Sequence, residues 1–391
     1  MHNLAIILMF FVGSIAILAQ PYVDVRYTAV SENDIAYTTA TAFNGRVDTL
    51  RMNVYYPTDD GAASRPLVLW VHGGGFTGGN RAEMNALCKR WAERGYVAAT
   101  ISYRLGFYGP FPFDPPFAYD TSEVLRAVYR GVQDFRSALK YLVTNASRYN
   151  IDTSRTVVGG VSAGAIISLH ASFVDDKDVR LPSLGNISPV VRGSESFARP
   201  DVGSLLGQSY PGTPLPTIRA VVNIFGALTD ITLLQGAPFV PTYSYHQRAD
   251  PVVPCAIDKG LWGLPFNVSA NYAQLVGSCA LTAEFEKRGI PTDQYESWIY
   301  EGAGHALHDE RRIDSAATVF CARMIQKPVS VVQDNEGVND RGPWMVVDLQ
   351  GAVVGQVQTL RDIFPFADGV YAAVSLNHRA LLCISAGQVA R

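Results

Sequence analysis

Short, continuously apolar segments alternate along this chain with longer segments of helical periodicity, and this alternation limits the fold more than any other feature. Such apolar segments suit strands that are buried on both faces, as in a parallel sheet. The order strand, helix, strand predicts right-handed crossovers that place helices against a central sheet. The predicted strands are Pro66 to Val71, Tyr96 to Tyr103, Thr156 to Gly159, Ile218 to Phe225, Phe239 to Tyr245 and Tyr295 to Tyr300, and the predicted helices are Arg81 to Arg94, Ser122 to Tyr149, Gly277 to Arg288 and Asp314 to Met324. The sequence therefore predicts the α/β class, with a mostly parallel central sheet flanked by helices.

An antiparallel hairpin is expected before this alternation begins. Ala36 to Phe43 and Val47 to Tyr56 are strand-like and are joined at Asn44-Gly45, a dipeptide typical of two-residue hairpin loops.

Two connections are too long to be simple turns. They are Leu105 to Asp120, which is rich in Pro and Phe, and roughly residues 175–217, which are rich in Gly, Ser and Pro. Long connections in a compact domain usually line or cover a site. We therefore expect both to form walls or lids over a pocket.

The amino terminus resembles an export signal. An apolar stretch runs from Leu4 to Leu18 and ends before the polar sequence that begins at Gln20. We interpret residues 1–19 as a signal peptide. An uncleaved anchor is the alternative, although about 15 apolar residues fall short of the ~20 that span a bilayer. No later segment of the sequence predicts a stable membrane span, so we expect a secreted or cell-surface protein.

The charge balance argues against two classes of partner. The formal net charge is -3 and the sequence pI is about 6.2, without a run of like charges. Nucleic acids and anionic lipid surfaces are normally bound by clustered basic residues, which this sequence lacks. A neutral small molecule is the expected partner.

The five cysteines are an odd number, so an exported chain leaves at least one thiol unpaired. Cys255 and Cys279 flank one connection and are the candidate disulfide. The alternative is that all five are buried thiols.

The candidate nucleophile lies in Gly160-Val161-Ser162-Ala163-Gly164, which follows a predicted strand and opens a predicted helix. A sharp strand-to-helix turn leaves no room for side chains two residues before and two after the nucleophile, so glycine is needed at both positions. Such a turn exposes the Ser162 hydroxyl at the start of the helix.

A glycine-rich loop follows the first buried strand as His72-Gly73-Gly74-Gly75-Phe76. Backbone N–H groups of Gly74 and Gly75, with that of Ala163, are the expected oxyanion hole for a tetrahedral intermediate. A glycine-rich turn around a buried histidine is the alternative interpretation.

The base and acid of the predicted triad follow the last two strands of the sheet. His305 ends the segment Gly302 to His305 and is the candidate general base, with His308 as its competitor. Asp250 follows the penultimate strand and is the candidate acid that orients the imidazole, with Asp230 as the alternative.

These motifs, in this order, resemble those of the carboxylesterase and hormone-sensitive-lipase-like branches of the α/β-hydrolases. The resemblance covers about Val47 to Met324 and includes Tyr103-Arg104-Leu105-Gly106, the run from Gln133 to Arg136, and Asp250 to Pro254. It implies an α/β-hydrolase catalytic domain over residues 20–326 that hydrolyses carboxylic esters through an acyl-enzyme, without a metal or organic cofactor.

The expected substrate is a short-chain or aryl ester. Phe76, Phe107 and Tyr108 are the candidate substrate-binding residues, because an aromatic cluster can wall an apolar pocket. Alternative substrates are feruloyl or acetyl esters on polysaccharide, lipids and polyesters. A peptidase and a non-catalytic binding protein of the same fold are the alternatives to an esterase.

The tail, residues 327–391, contains short strand-like segments separated by turns. This pattern predicts a small all-β module, a β-sandwich. It resembles the C-terminal sorting modules of type IX secretion through Asp368-Gly369-Val370-Tyr371. The resemblance implies secretion machinery as a partner, and the alternative is a structural cap.

Overall fold

The computed structural model of the protein describes residues 20–58, 60–174, 180–207, 209–235 and 238–326, and the backbone of four strands between residues 341 and 385. The predicted signal peptide lies outside the described residues. The chain divides into two compact units, and the division falls between Met324 and Ile325. Among the described residues, no helix combines the length and apolar character needed to cross a bilayer.

The first unit is built on an eight-stranded sheet whose order is β1-β2-β4-β3-β5-β8-β10-β13. The strands from β4 onward in that order pair in parallel, and β1 and β2 are antiparallel at one edge. The sheet strands are β1 (Thr28–Thr41), β2 (Val47–Thr58), β3 (Arg65–Val71), β4 (Val97–Ile101), β5 (Ile151–Val161), β8 (Ile218–Ile224), β10 (Thr242–Gln247) and β13 (Tyr295–Tyr300). This arrangement confirms the predicted α/β-hydrolase fold.

The helices of this unit lie close to their predicted positions. They are α1 (Asn85–Ala92), α2 (Thr121–Thr144), α3 (Ala146–Tyr149), α4 (Ala163–Phe173), α5 (Ser278–Lys287) and α6 (Glu310–Gln326), with short 3-10 helices at Arg81–Met84, Pro182–Leu184, Ile231–Leu234 and Val268–Asn271. All seven residues of β3 are buried, which explains why its sequence is apolar without interruption from Pro66 to Val71. Trp91 of α1 donates to Asp314 of α6 at 2.9 Å, so these two helices pack together.

Smaller antiparallel sheets lie outside the central one. They are β6 (Ile187–Arg192) with β7 (Glu195–Arg199), and β9 (Ala227–Leu228) with β11 (Ile257–Lys259) and β12 (Gln274–Gly277). The long 175–217 connection therefore contains a hairpin of its own.

The predicted amino-terminal hairpin is present, but its loop is one residue longer than expected. Ala42 and Arg46 are joined by a backbone hydrogen bond, so Phe43, Asn44 and Gly45 form a three-residue loop. Gly45 has φ +83°, which a glycine adopts without strain.

The second unit contains a four-stranded antiparallel sheet in the order β15-β14-β16-β17. Its strands are β14 (Arg341–Asp348), β15 (Val353–Thr359), β16 (Val370–Ser375) and β17 (Leu381–Ser385). The all-β character expected of the tail is confirmed. Asp368-Gly369 lies outside the described residues, and one sheet rather than a sandwich is seen in the part of the tail that is described.

Candidate active site

Ser162 occupies the sharp turn between β5 and α4. Its backbone has φ 56° and ψ -121°, a conformation that a non-glycine residue adopts only where the surroundings enforce it. A Cβ on Gly160 would collide with the Gly164 backbone, and one on Gly164 would collide with the Val71 carbonyl. The Ser162 N–H donates to the Ile224 carbonyl at 2.9 Å, which ties the turn to the neighbouring strand β8.

Ser162, His305 and Asp250 form a continuous hydrogen-bonded chain. His305 Nε2 lies 2.8 Å from Ser162 Oγ, and His305 Nδ1 lies 2.7 Å from Asp250 Oδ2. Because a carboxylate only accepts, Nδ1 carries the proton and Nε2 is free to accept the serine proton. The structure thus brings His305 together with Asp250, 55 residues earlier in the sequence, and with Ser162, 143 residues earlier.

Asp250 is completely buried and receives a donor on each side. Its Oδ1 accepts the N–H groups of Val252 and Val253 at 2.8 and 3.1 Å, while Oδ2 accepts from His305. Burial raises the pKa of Asp250, but hydrogen bonds from His246 and His305 outweigh that effect and hold the pKa below its ordinary value. Asp250 is therefore an anion at neutral pH.

A second histidine contacts the same carboxylate from the sheet side. His246 is fully buried, and its Nε2 lies 3.4 Å from Asp250 Oδ2 and 2.9 Å from the Val253 carbonyl. Its Nδ1 lies 2.8 Å from the hydroxyl of Ser278, which accepts from Asn223 and so donates to the imidazole. This network keeps the Nε2 proton of His246 directed at the Asp250 loop. The sequence analysis did not identify this contact.

A disulfide fastens the segment that follows Asp250 to the start of α5. The predicted bond between Cys255 and Cys279 is present, and the Cys255 carbonyl accepts the N–H of Cys279 at 2.8 Å. Cys279 directly follows Ser278, so the same helix end holds both His246 and the acid-bearing loop. Among the described residues Cys88 and Cys321 are free and buried.

The competing candidates for the base and the acid lie elsewhere. His308 stacks on Tyr300 at 3.9 Å between ring centroids, and its Nδ1 lies 2.8 Å from the Tyr245 hydroxyl. Asp230 caps a short 3-10 helix by accepting from the N–H and hydroxyl of Thr232, both at 2.8 Å. Neither side chain contacts the Ser162–His305 pair.

The glycine-rich loop after β3 lies against the nucleophile turn. A Cβ on Gly73 would come within 3.3 Å of the Ser162 Cβ. Gly74 and Gly75 have φ values of +100° and +59°, and the N–H groups of both lack an acceptor among the described residues. The N–H of Ala163, the first residue of α4, has no partner within its helix. The loop can thus direct N–H groups at a developing oxyanion.

His72 hydrogen-bonds to the backbone of this loop and packs on a neighbouring ring. Its Nδ1 donates to the Gly73 carbonyl at 2.8 Å, and its ring stacks on Tyr103 at 4.5 Å. Burial lowers the pKa of His72, so it stays neutral and serves the loop structurally.

A cavity of about 530 Å³ opens at the pair of Ser162 and His305. It extends between the sheet, α1 and α6. Its apolar wall consists of Trp70, Met84, Ala86, Leu87, Val161, Val222, Ile224, Phe225, Val252, Leu307, Ile313 and Ala317. The volume falls in the range of small-molecule sites, about 300–1,000 Å³.

The three aromatic residues predicted to bind substrate do not line this cavity. Phe76 and Phe107 are buried in the core, and Phe107 packs on Tyr272. Tyr108 packs between Phe43 and Phe197 at another cavity. The two long connections expected to wall the pocket contribute no residue of their described parts to it. The apolar character of a side chain predicts that it is buried. It does not predict which part of the core or which cavity the side chain borders.

Phe225, which the sequence analysis did not single out, borders the base directly. Its ring centroid lies 4.5 Å from that of His305, and its backbone has φ 40°. The only sequence signal was its place at the end of a buried strand.

The described residues contain no group of three or more His, Cys, Asp or Glu side chains arranged to hold a metal ion.

Comparison with known families agrees with this geometry. The BD-FAE family model matches residues 52–251, just over half of the chain. The chain belongs to the BD-FAE family. The matched segment includes Ser162 and Asp250 of this family member, and His305 lies beyond it.

The match to individual relatives covers a smaller part of the chain. Fumonisin B1 esterase of Sphingopyxis macrogoltabida is 33% identical over 118 residues, which are 30% of this chain and 22% of that protein. Chlorogenic acid esterase of Aspergillus niger is 25% identical over 171 residues, 41% of this chain and 32% of that protein. The matched segments therefore span about a fifth to a third of these relatives' own length.

Solved structures that are similar include esterases. Esterase 2 of Thermogutta terrifontis phosphorylated by paraoxon has a TM-score of 0.49 and 16% identity, covering 76% of this chain and 94% of that one. Esterase B of Lactobacillus rhamnosis has a TM-score of 0.47 and 14% identity, covering 78% and 89%.

Proposed function

We propose that the protein is a secreted serine carboxylesterase with Ser162 as nucleophile, His305 as general base and Asp250 as the acid that orients it. The observation that carries the proposal is the pair of hydrogen bonds, 2.8 and 2.7 Å long, that joins the three side chains. Family membership and the esterase names of the matched relatives support it.

The first half-reaction forms an acyl-enzyme. Ser162 Oγ attacks the ester carbonyl carbon while His305 Nε2 removes the hydroxyl proton, and the carbonyl π electrons move onto oxygen. The N–H groups of Gly74, Gly75 and Ala163 stabilise this oxyanion, and removing one such donor typically costs about 3 kcal/mol. The intermediate collapses, His305 protonates the departing alkoxide, and the alcohol leaves.

The second half-reaction consumes water. His305 removes a proton from a water molecule that attacks the acyl carbon, and Ser162 leaves with that proton from the imidazolium. The Asp250 anion stabilises the imidazolium in both halves, and its own pKa, held below the ordinary value, prevents it from taking the proton itself.

The substrate in this proposal is a short-chain or aryl ester. A largely apolar cavity of about 530 Å³ accommodates one such group beside Ser162. Feruloyl or acetyl esters on polysaccharide, lipids and polyesters are the alternatives, and they differ in the acyl chain that the cavity must accept.

Export is the remaining part of the proposal. The disulfide supports it, because such bonds persist mainly in oxidising compartments. We expect residues 1–19 to be absent from the mature protein and the 327–391 module to act in sorting. Amino-terminal sequencing of protein from the medium tests the first expectation, and secretion of a chain ending at Gln326 tests the second.

The activity is tested with p-nitrophenyl esters from acetate to palmitate, using wild type, Ser162→Ala and Ser172→Ala. Ser172 lies on the same helix and donates to the Ser168 carbonyl at 2.7 Å, so its variant controls for loss of a hydroxyl. We expect Ser162→Ala alone to be inactive, with wild type preferring short chains. Turnover by Ser162→Ala, or none by folded wild type, overturns the proposal.

A further inference from the structure

A second cavity, of about 340 Å³, lies away from Ser162. It is bounded by Thr38–Thr41 at the edge of the sheet, by α2, and by residues 198–204, Gly207 and Ser209 of the long connection. It shares no lining residue with the cavity at Ser162. Its wall is mostly polar, unlike that of the candidate active site.

Arginine dominates this wall. Four guanidinium groups line the cavity, and each residue is at least 91% buried: Arg104, Arg126, Arg130 and Arg199. The buried carboxylates beside them are Glu123 and Asp134. Buried cations outnumber buried anions, although burying an unpaired charge is costly.

Two of the four arginines are paired with acids. Arg104 contacts Asp134 at 2.7 Å, and Arg199 contacts Glu123 at 3.2 Å and the partly exposed Asp120 at 2.8 Å. The remaining carboxylate of the cavity wall, Asp201, pairs with Arg180.

The other two arginines have no carboxylate within ion-pair distance among the described residues. Arg126 donates to the carbonyls of Ser183, Gly185 and Pro200, and so fastens the long connection to α2. Arg130 donates from Nη2 to the Gly106 carbonyl at 2.9 Å, and its Nε is buried without a partner. Carbonyl dipoles offset a positive charge only in part.

Burial also changes the pKa of Arg126 and of Arg130, because it disfavours their charged forms. Burial, together with the neighbouring positive charge of Arg104, lowers the pKa of Arg130 to about 10. Burial also lowers the pKa of Arg126. Glu123 acts on both arginines from beyond ion-pair distance and compensates their charge in part, so an anion entering the cavity meets positive charge that no direct ion pair neutralises.

We propose that this cavity binds a small oxyanion, with Arg130 as its principal ligand. Guanidinium groups bind phosphate and carboxylate oxygens through paired N–H donors, and Arg130 has such donors left over. A bound anion fills the deficit of negative charge and stabilises the packing of the long connection against α2. The site is independent of the proposed esterase chemistry.

The test follows thermal unfolding of the full chain during a titration with inorganic phosphate, with sodium chloride at matched ionic strength as reference. Ligand that binds only the folded state raises the midpoint. We expect phosphate to raise the midpoint by a few degrees beyond chloride in wild type, and acetate to do so less.

Two variants locate the effect. Arg130→Gln should lose the phosphate-dependent rise, while Arg46→Gln should retain it, because Arg46 is exposed and pairs with Asp48 on the surface. Arg130→Lys, which keeps the charge without the fork of donors, replaces the Gln variant if that fails to fold and should bind phosphate more weakly. No midpoint shift in wild type beyond chloride, or an equal shift in Arg130→Gln, overturns the proposal.

Discussion

Removing the disulfide should destabilise the first unit and weaken catalysis together, because the bond fastens the loop that carries Asp250. Cys255 and Cys279 are 24 residues apart in sequence. For a closed loop of that length, the chain-entropy relation gives a stabilisation of about 3.5 kcal/mol at 25 °C. In a unit of this size, that corresponds to a fall in melting temperature of roughly 5–6 °C.

The assay compares wild type with Cys255→Ala/Cys279→Ala by urea unfolding and by steady-state kinetics. The double variant frees the segment from Asp250 to Cys255 at its far end, whereas the cavity lining at α1 and α6 is unchanged. We therefore expect kcat to fall while KM changes little, because the imidazole of His305 loses a firmly held partner.

Loss of two sulfur atoms is controlled with Cys88→Ala/Cys321→Ala, which removes two free thiols and no cross-link. A reductant should destabilise wild type and this control, and should leave Cys255→Ala/Cys279→Ala unaffected. A free energy of unfolding within about 1 kcal/mol of wild type for the disulfide variant would refute the reasoning.

Three further predictions concern individual contacts. His246→Gln should lower kcat by roughly 10- to 100-fold at near-constant KM, since Asp250 loses a buried donor worth about 1–3 kcal/mol; an unchanged kcat contradicts this. Gly164→Ala should abolish turnover and destabilise by roughly 1–3 kcal/mol, because its Cβ collides with the Val71 carbonyl; circular dichroism and rate measurements check both effects. Burial lowers the pKa of His170 to about 4, while its two nitrogens already bond to the Ile166 carbonyl and the Thr229 hydroxyl. The unfolded chain therefore binds a proton that the folded one excludes, so stability should fall as pH drops below about 6.5, levelling off below about 4 after a loss of the order of 3 kcal/mol. His170→Gln should flatten that pH dependence in urea unfolding, and an unchanged slope would disprove the assignment.

The buried strands, the turn at Ser162 and the order of the triad residues could be predicted from the sequence, because local physical chemistry restricts the residue types at these positions. Strands such as β3 are buried on both faces, so their residues are apolar without interruption and their positions are evident. The turn at Ser162 excludes side chains on both sides, so glycine marks it. Chain order then predicted that Ser162, Asp250 and His305 would each follow a strand of one sheet, and these strands are β5, β10 and β13.

Only the tertiary structure decided which surfaces these elements share. The aromatic run near Phe107 was expected at the pocket but packs into other parts of the interior, because burial of a ring does not depend on which cavity it reaches. The contact of His246 with Asp250, and the grouping of Arg130 with three other arginines, join residues from different elements. Such contacts depend on how helices and strands pack, and packing is decided by the whole chain at once rather than by any segment of it.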